Sequence, residues 1–249
     1  AELVIDPLPL ALGLQRAGIV PAGVQGEEAE LAGVPVAHPV PDLADRIDAF
    51  RHLSLRLGAG RVVWRFDPVL IAPGLEIGDV LGRLAVVGDA LAGFCDQLVF
   101  SFIDIEKYPR VKRNIAASGI PVREPDGDER EFFVRELSRL AGGWKMRVAA
   151  CAGRQDFGMY GIEPGRCIDD RRLARAFGHD RELLAGLSSG AEPDLFGFSG
   201  NNPLKDKGQR AACGCIASKD IGAYDSCGHG CVYCYANASP AAARRFLAG

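Results

Sequence analysis

Three cysteines near the end of the chain are the residues best suited to chemistry. Cys227, Cys231 and Cys234, here called the cysteine triad, follow a C-x3-C-x2-C spacing, and thiolates spaced so closely are typical metal ligands. A [4Fe–4S] cluster has four irons, so three cysteine ligands leave one iron without a protein ligand. That iron can chelate a small molecule, which makes the cluster a reaction centre as well as an electron carrier. The spacing therefore predicts a cluster with one open iron.

Zinc is the alternative occupant of this loop. Structural zinc sites usually take four ligands from two separate C-x2-C pairs, whereas here only Cys231 and Cys234 form such a pair. His229 is a ligand in principle, but it lies between two glycines, and we expect it to be a loop residue near the cluster. The spacing favours iron and sulfide and leaves zinc open.

A second set of thiols remains when the triad is set aside. Cys95 lies in an apolar segment just before the strand predicted at 98–103, and we expect it to be buried in the core. Cys151, Cys167, Cys213 and Cys215, here called the cysteine quartet, are then left. Four thiolates would complete a second [4Fe–4S] cluster or a zinc site with no open metal position. The alternative is that Cys151 and Cys167 are buried structural thiols.

Helical and strand patterns alternate along the first 150 residues and must position these groups. Amphipathic helices are predicted at residues 41–58, 77–91 and 128–140, and strands at 61–66, 98–103 and 146–150, with two shorter strands at 3–5 and 34–37. Strands separated by helices imply βαβ units and a parallel sheet. We therefore expect an α/β, barrel-like domain, a partial TIM-type barrel, in residues 1–179. Residues 180–249 are predicted to be a loop-rich cysteine-cluster region packed on the same domain.

Three of the predicted strands end in polar or thiol residues. Arg65 and Asp67 end the first strand, Ser101 and Asp104 the second, and Cys151 the third. Ligands of parallel α/β folds bind beyond the carboxyl ends of the strands. The four polar residues are therefore candidate catalytic contacts to a cofactor or substrate. The alternative is that Asp67 and Asp104 only cap the turns that follow them.

Composition limits the partners that the chain is expected to have. The net charge is −3, which gives no support for nucleic acid as a partner. No apolar run approaches the ~20 residues of a membrane span, and the first residues lack the pattern of a signal peptide. We expect a cytoplasmic protein in which eight cysteines serve as ligands or core residues rather than disulfides.

A short basic segment precedes the last cysteines. Lys205 and Lys207 lie in the run KDKGQR, residues 205–210. Such a run is usually a solvated surface. Beside several thiolates it can also offset negative charge or hold an anionic group of a cofactor, and both interpretations stay open.

The cysteine loop resembles that of a known enzyme superfamily. Its sequence CGHGCVYCYA, residues 227–236, is similar to the cluster loop of radical S-adenosylmethionine enzymes, above all the branch related to spore photoproduct lyase. The resemblance implies that the triad binds a [4Fe–4S] cluster whose fourth iron chelates the amino and carboxylate groups of S-adenosylmethionine. It implies that S-adenosylmethionine is cleaved reductively to a 5′-deoxyadenosyl radical, with an electron donor as partner. The substrate, a small molecule or another class of compound, stays unknown. Tyr233 would lie near the adenine.

The wider chain resembles domain of unknown function 1848, an uncharacterised bacterial family. The similarity runs from about residue 38 to Asn237 and is carried by the segments RVVWRFDP at 61–68, SFID at 101–104, YGIEPGRCID at 160–169 and CGCIASKDIGAY at 213–224. Two features depart from ordinary radical enzymes. The cysteine loop lies in the last 25 residues instead of after the first strand, and no Gly-Gly-Glu stretch is found. A non-catalytic zinc or iron–sulfur module is therefore the alternative function.

Overall fold

The structure is a computed structural model that describes most of the chain after residue 40. The described residues are 30–31, 34–35, 41–151, 155–188, 204–207, 213–218, 222–229 and 231–248. Two short strands, β1 (Glu30–Leu31) and β2 (Val34–Pro35), form an antiparallel pair. The strand predicted at 34–37 is thus confirmed over its first two residues, and the one predicted at 3–5 lies outside the described residues.

Four parallel strands form the main sheet. They are β3 (Trp64–Val69), β4 (Gln97–Phe102), β5 (Arg147–Cys151) and β6 (Ile162–Gly165), paired in that order. The predicted α/β fold with a parallel sheet is confirmed, and within the described residues the sheet is open rather than closed. β6 was not predicted, because its sequence Ile-Glu-Pro-Gly has the composition of a turn. Proline is tolerated in a strand at a sheet edge, where β6 lies.

Helices connect and flank the strands. They are α1 (Leu43–Leu57), α2 (Ile77–Leu91), α3 (Pro109–Ser118), α4 (Gly127–Trp144), α5 (Asp170–Ala176), α6 (Arg181–Ser188) and α7 (Pro240–Ala248). The three predicted helices correspond to α1, α2 and α4. The other four were missed because they are short, and two of them lie in the region predicted to be loop-rich. None of the helices in the described ranges is long and apolar enough to span a membrane.

One face of the sheet packs against α2 and α4 and forms the main core. Alternate strand residues such as Trp64 and Phe100 point into this core. Trp64 contacts Trp144 of α4 at a ring-centroid distance of 5.8 Å, and Phe100 contacts Phe133 at 5.3 Å. Burial of such large aromatic side chains contributes about 1.5–3 kcal/mol each, so this face holds the sheet and its helices together.

The other face of the sheet carries the intervening residues. Val99, Ala149 and Cys151 form a small buried cluster there, with Cys167 packed against it. Arg65 shares this face with Val99, its partner in the β3–β4 register, because side chains on a strand alternate between faces. The polar face of the sheet, as we call it, therefore collects most of the strand-end residues that the sequence analysis selected.

Candidate functional site

Three of the four polar strand-end residues interact on the polar face. The Arg65 guanidinium lies 2.5 Å from Asp67 Oδ2, and the Ser101 hydroxyl donates a hydrogen bond to Asp67 Oδ1. The side chains of Arg65 and Asp67 are only 12% and 10% exposed. Such a buried ion pair needs further hydrogen bonds to offset the loss of hydration, and Ser101 supplies one of them.

The cysteine quartet gathers beside this ion pair. Arg65 Nη1 donates to Cys167 Sγ at 2.8 Å, and Cys151 Sγ lies 3.2 Å from Cys167 Sγ. Cys215 Sγ accepts the backbone N–H of Cys167 at 3.0 Å, and Cys213 is buried two residues before Cys215. Three members of the quartet are therefore in contact, in a chain that ends at a guanidinium, and the fourth lies on the same segment as Cys215.

The electrostatics of this group favour one thiolate. Hydrogen bonds from the thiols of Cys151 and Cys215, together with the Arg65 guanidinium, hold the pKa of Cys167 far below its ordinary value. The hydrogen bond to Cys167, with burial, raises the pKa of both partner thiols. Burial lowers the pKa of Arg65, but Asp67 and Cys167 outweigh it and raise that pKa overall. These contacts therefore favour the thiolate form of Cys167 beside the Arg65 guanidinium.

Backbone contacts fix the Cys213–Cys215 segment against the sheet. Ile216 N–H donates to Ile168 O at 3.2 Å, and Asp206 N–H donates to Cys215 O at 3.0 Å. At Gly214, an added Cβ would lie 2.8 Å from Cγ of Arg166. A larger residue at this position would have to displace the Arg166 side chain, so Gly214 leaves room for this arginine beside the two cysteines.

The basic residues Lys205 and Lys207 lie by the quartet segment. Lys205 forms an antiparallel bridge with Ile216, directly after Cys215. Lys207 is exposed. Both are thus placed on the strand-like pair that supports Cys213 and Cys215, and their predicted contact with a cofactor stays a prediction.

The cysteine triad lies on one loop, which Asn237 stabilises by hydrogen bonds. Cys231 and Cys234 are buried and Cys227 is half-buried. Cys234 N–H donates to Cys231 O at 3.0 Å. Asn237, which is 4% exposed, donates its backbone N–H to Cys234 Sγ at 3.2 Å and its Nδ2 to Cys227 O at 2.6 Å. One residue therefore connects the first and last cysteines of the motif.

Helix α3 anchors the same loop to the body of the protein. Asn114 Nδ2 donates to Cys234 O at 3.1 Å, and Arg110 Nη1 donates to the carbonyls of Tyr235 and Ala236, each at 3.1 Å. Tyr233, expected near the adenine of a cofactor, is buried in the main core cluster together with Cys231 and Cys234. Sequence reasoning missed Asn237, Asn114 and Arg110. For Asn237, its place three residues after the last cysteine was the available signal.

A cavity of about 520 Å³ opens at the carboxyl ends of β4 and β5. Ser101, Asp104 and Cys151 line it together with Phe102 and Phe157. Asp104 Oδ1 accepts the backbone N–H of Lys107 at 3.1 Å, so this carboxylate caps the following turn, as the alternative interpretation expected, and also faces the cavity. The cavity combines aromatic walls with many polar groups, which include Glu106, Lys107, Glu124 and Arg130. A concave site lined in this way suits a polar small molecule.

The thiol groups are not already arranged as metal ligands. Within the described ranges, no three histidine, cysteine, aspartate or glutamate side chains are spaced as the ligands of one ion. The triad cysteines lie on one loop, and three of the quartet cysteines are in contact. That either set binds a metal ion stays a prediction.

Comparison with known proteins places the chain in a family. The model of a family described as domain of unknown function 1848 matches residues 32–236. The chain belongs to this family. The match spans more than half of the chain, and it includes the triad, the quartet and the three residues of the buried ion-pair network. No curated protein and no solved structure matches the chain. Membership of this family carries no assigned activity, so function must be argued from the site.

Proposed function

We propose that this protein is an iron–sulfur enzyme of the radical S-adenosylmethionine type. The triad, Cys227, Cys231 and Cys234, would hold a [4Fe–4S] cluster with one open iron. The observation that carries the proposal is that Asn237 connects the first and last cysteines of the triad loop by hydrogen bonds. Asn237 donates to the Sγ of Cys234 and to the carbonyl of Cys227, and hydrogen bonds to ligand sulfurs are among the features that tune iron–sulfur clusters.

The residues of the loop fit such a cluster and a ligand on its open iron. Thiolates are soft donors that suit iron–sulfur clusters. Asn237 Oδ1 is a buried acceptor without a hydrogen-bond partner in the part of the chain that the structure describes. A buried acceptor left unpaired costs about 1–3 kcal/mol, so a donor group of a bound ligand would stabilise this arrangement. Once bound, the cluster would supply an electron and an open coordination position for S-adenosylmethionine.

The neighbouring elements supply a place for a substrate. The cavity at the ends of β4 and β5 has the size of a small-molecule site. We infer that the sheet belongs to a partial, TIM-type barrel whose mouth contains this cavity, because helices pack on one face and small or polar residues line the other. Ser101 and Asp104 line the cavity and are the polar contacts expected for the substrate. A reducing partner must supply the electron.

Metal and sulfide content test the proposal. The full chain is purified without oxygen, reconstituted with iron and sulfide, and compared with a variant in which the triad is replaced by alanine. We expect the wild-type chain to bind about four irons and four sulfides more than the variant. Iron binding that is equal in the two proteins would overturn the proposal. Zinc alone in the triad would instead favour the non-catalytic metal module.

A further inference from the structure

We infer that the cysteine quartet binds a single metal ion of the zinc class, separate from the triad. Cys151, Cys167, Cys213 and Cys215 come from three different parts of the fold: the end of β5, the loop after β6, and the segment that packs against that loop. This inference does not depend on the proposed radical chemistry, because it concerns different cysteines and the opposite face of the sheet from the main core.

The hydrogen bonds of the quartet resemble those of metal-bound thiolates. Cys215 Sγ accepts two backbone N–H groups, from Cys167 at 3.0 Å and from Ile168 at 3.5 Å. Cys167 Sγ accepts from the Arg65 guanidinium at 2.8 Å. Metal binding displaces the protons of its cysteine ligands, and these N–H and guanidinium donors would then stabilise the charge of the bound sulfurs.

Sulfur spacing selects one ion over a second cluster. Four sulfurs placed ~2.3 Å from one zinc lie about 3.8 Å from each other. Cys151 Sγ and Cys167 Sγ are 3.2 Å apart, so these two sulfurs would have to move apart by only about 0.6 Å. The geometry of four ligands around one ion is not formed in the described part of the chain. In a [4Fe–4S] cluster each cysteine binds a different iron, which requires sulfurs much farther apart and a larger rearrangement of the buried sheet face.

Arg65 balances the charge of the proposed site. Four thiolates around a divalent ion leave a net charge of −2, and the guanidinium lies against Cys167. Asp67 holds Arg65 in place at 2.5 Å, and the Ser101 hydroxyl donates to Asp67. Arg65 Nε is also buried without a hydrogen-bond partner in the described part of the chain, which leaves a donor for a second thiolate. Arg65 is therefore a positioning residue that acts through the ligands.

The test uses the full chain with the triad replaced by alanine, so that any remaining metal belongs to the quartet. The apoprotein is titrated with Zn²⁺ and, separately, with Co²⁺. We expect one ion per chain and the strong absorption of thiolate-bound, tetrahedral cobalt. In the same background, Cys167→Ala should lose this ion. Cys95→Ala, which removes a buried core thiol that lies 3.9 Å from Met146 Sδ and belongs to neither cysteine set, is the matched control and should retain it.

Arg65→Ala gives a graded readout. Removal of a residue that hydrogen-bonds to a metal ligand typically weakens metal affinity 10–100-fold, so cobalt should still bind with the same spectrum but at higher concentration.

If the triad-free chain fails to fold, zinc is counted in the wild-type chain, where one ion must disappear in Cys167→Ala and persist in Cys95→Ala. Absence of zinc and cobalt binding, or four irons with sulfide in the quartet, would overturn the inference. Failure of the radical proposal would leave these results unchanged.

Discussion

At the scale of single residues, the site depends on a few polar atoms that hold thiols in place. Elimination predicts the quartet as a set, and the structure brings Cys151, Cys167 and Cys215 into contact. The strand ends predict Arg65, Asp67 and Ser101, and these three interact. The role of Asn237 could not be predicted, because its position after the last cysteine does not by itself show that the fold brings residue 237 back to Cys227.

Asn237→Ala should loosen the triad loop. The substitution leaves the Cys227 carbonyl without its side-chain donor, and an unpaired buried group costs about 1–3 kcal/mol. We expect reconstituted iron to be lost to a chelator several-fold faster than from the wild-type chain. Ser138→Ala is the control. It removes a hydrogen bond of the same side-chain-to-backbone kind, to Tyr160 O at 2.7 Å, that contacts neither cysteine set, so iron loss should stay close to wild type. Equal iron loss from Asn237→Ala and wild type would contradict this role.

At the scale of elements, hydrophobic periodicity was enough to predict α1, α2, α4 and strands β3 to β5. These segments are long or strongly apolar, and their packing agrees with their local pattern. The short helices α3 and α5 and the edge strand β6 were missed because tertiary contacts stabilise them. α3, for example, buries only Val111 and Ile115, which is too few positions to reveal a period. The same helix is the one that anchors the triad loop.

The contact between α2 and α4 predicts the effect of a small change at Gly88. A Cβ added there would lie 2.2 Å from the indole of Trp144, a ring packed against Trp64. We expect Gly88→Ala to lower the free energy of unfolding by about 1–3 kcal/mol, the usual effect of overpacking. Gly82→Ala, on the same helix with nothing within 4 Å, should instead raise it by up to ~1 kcal/mol through helix propensity. Denaturant unfolding measures both, and equal values would contradict the packing.

The start of α4 predicts a dependence of stability on pH. Hydrogen bonds from Arg123 to Glu129, at 2.6 Å, lower the pKa of this carboxyl from 4.5 to about 2. A carboxyl whose pKa is lower in the folded chain stabilises it above the unfolded pKa, and this contribution is lost as pH falls. The wild-type chain should therefore lose stability relative to Glu129→Gln between pH 4.5 and about 2. Urea unfolding at several pH values tests this, and parallel curves for the two proteins would be evidence against it.

At the scale of the whole molecule, the two faces of the parallel sheet have different roles. Its apolar face, with α2 and α4, forms the core, and its polar face carries the quartet and the Arg65 ion pair. The triad loop packs on α3, and the cavity opens at the carboxyl ends of β4 and β5. A barrel would need further strands beside the open sheet of β3 to β6, so the barrel expected from the sequence stays a prediction.

We propose that the triad holds a cluster with an open iron that binds S-adenosylmethionine. The most direct measurement is electron paramagnetic resonance of the reduced, reconstituted wild-type chain, recorded with and without S-adenosylmethionine. We expect a reduced-cluster signal whose g-values change when S-adenosylmethionine is added. This signal should be lost when the triad is replaced by alanine. A reduced-cluster signal from the triad that S-adenosylmethionine leaves unchanged would contradict the proposal.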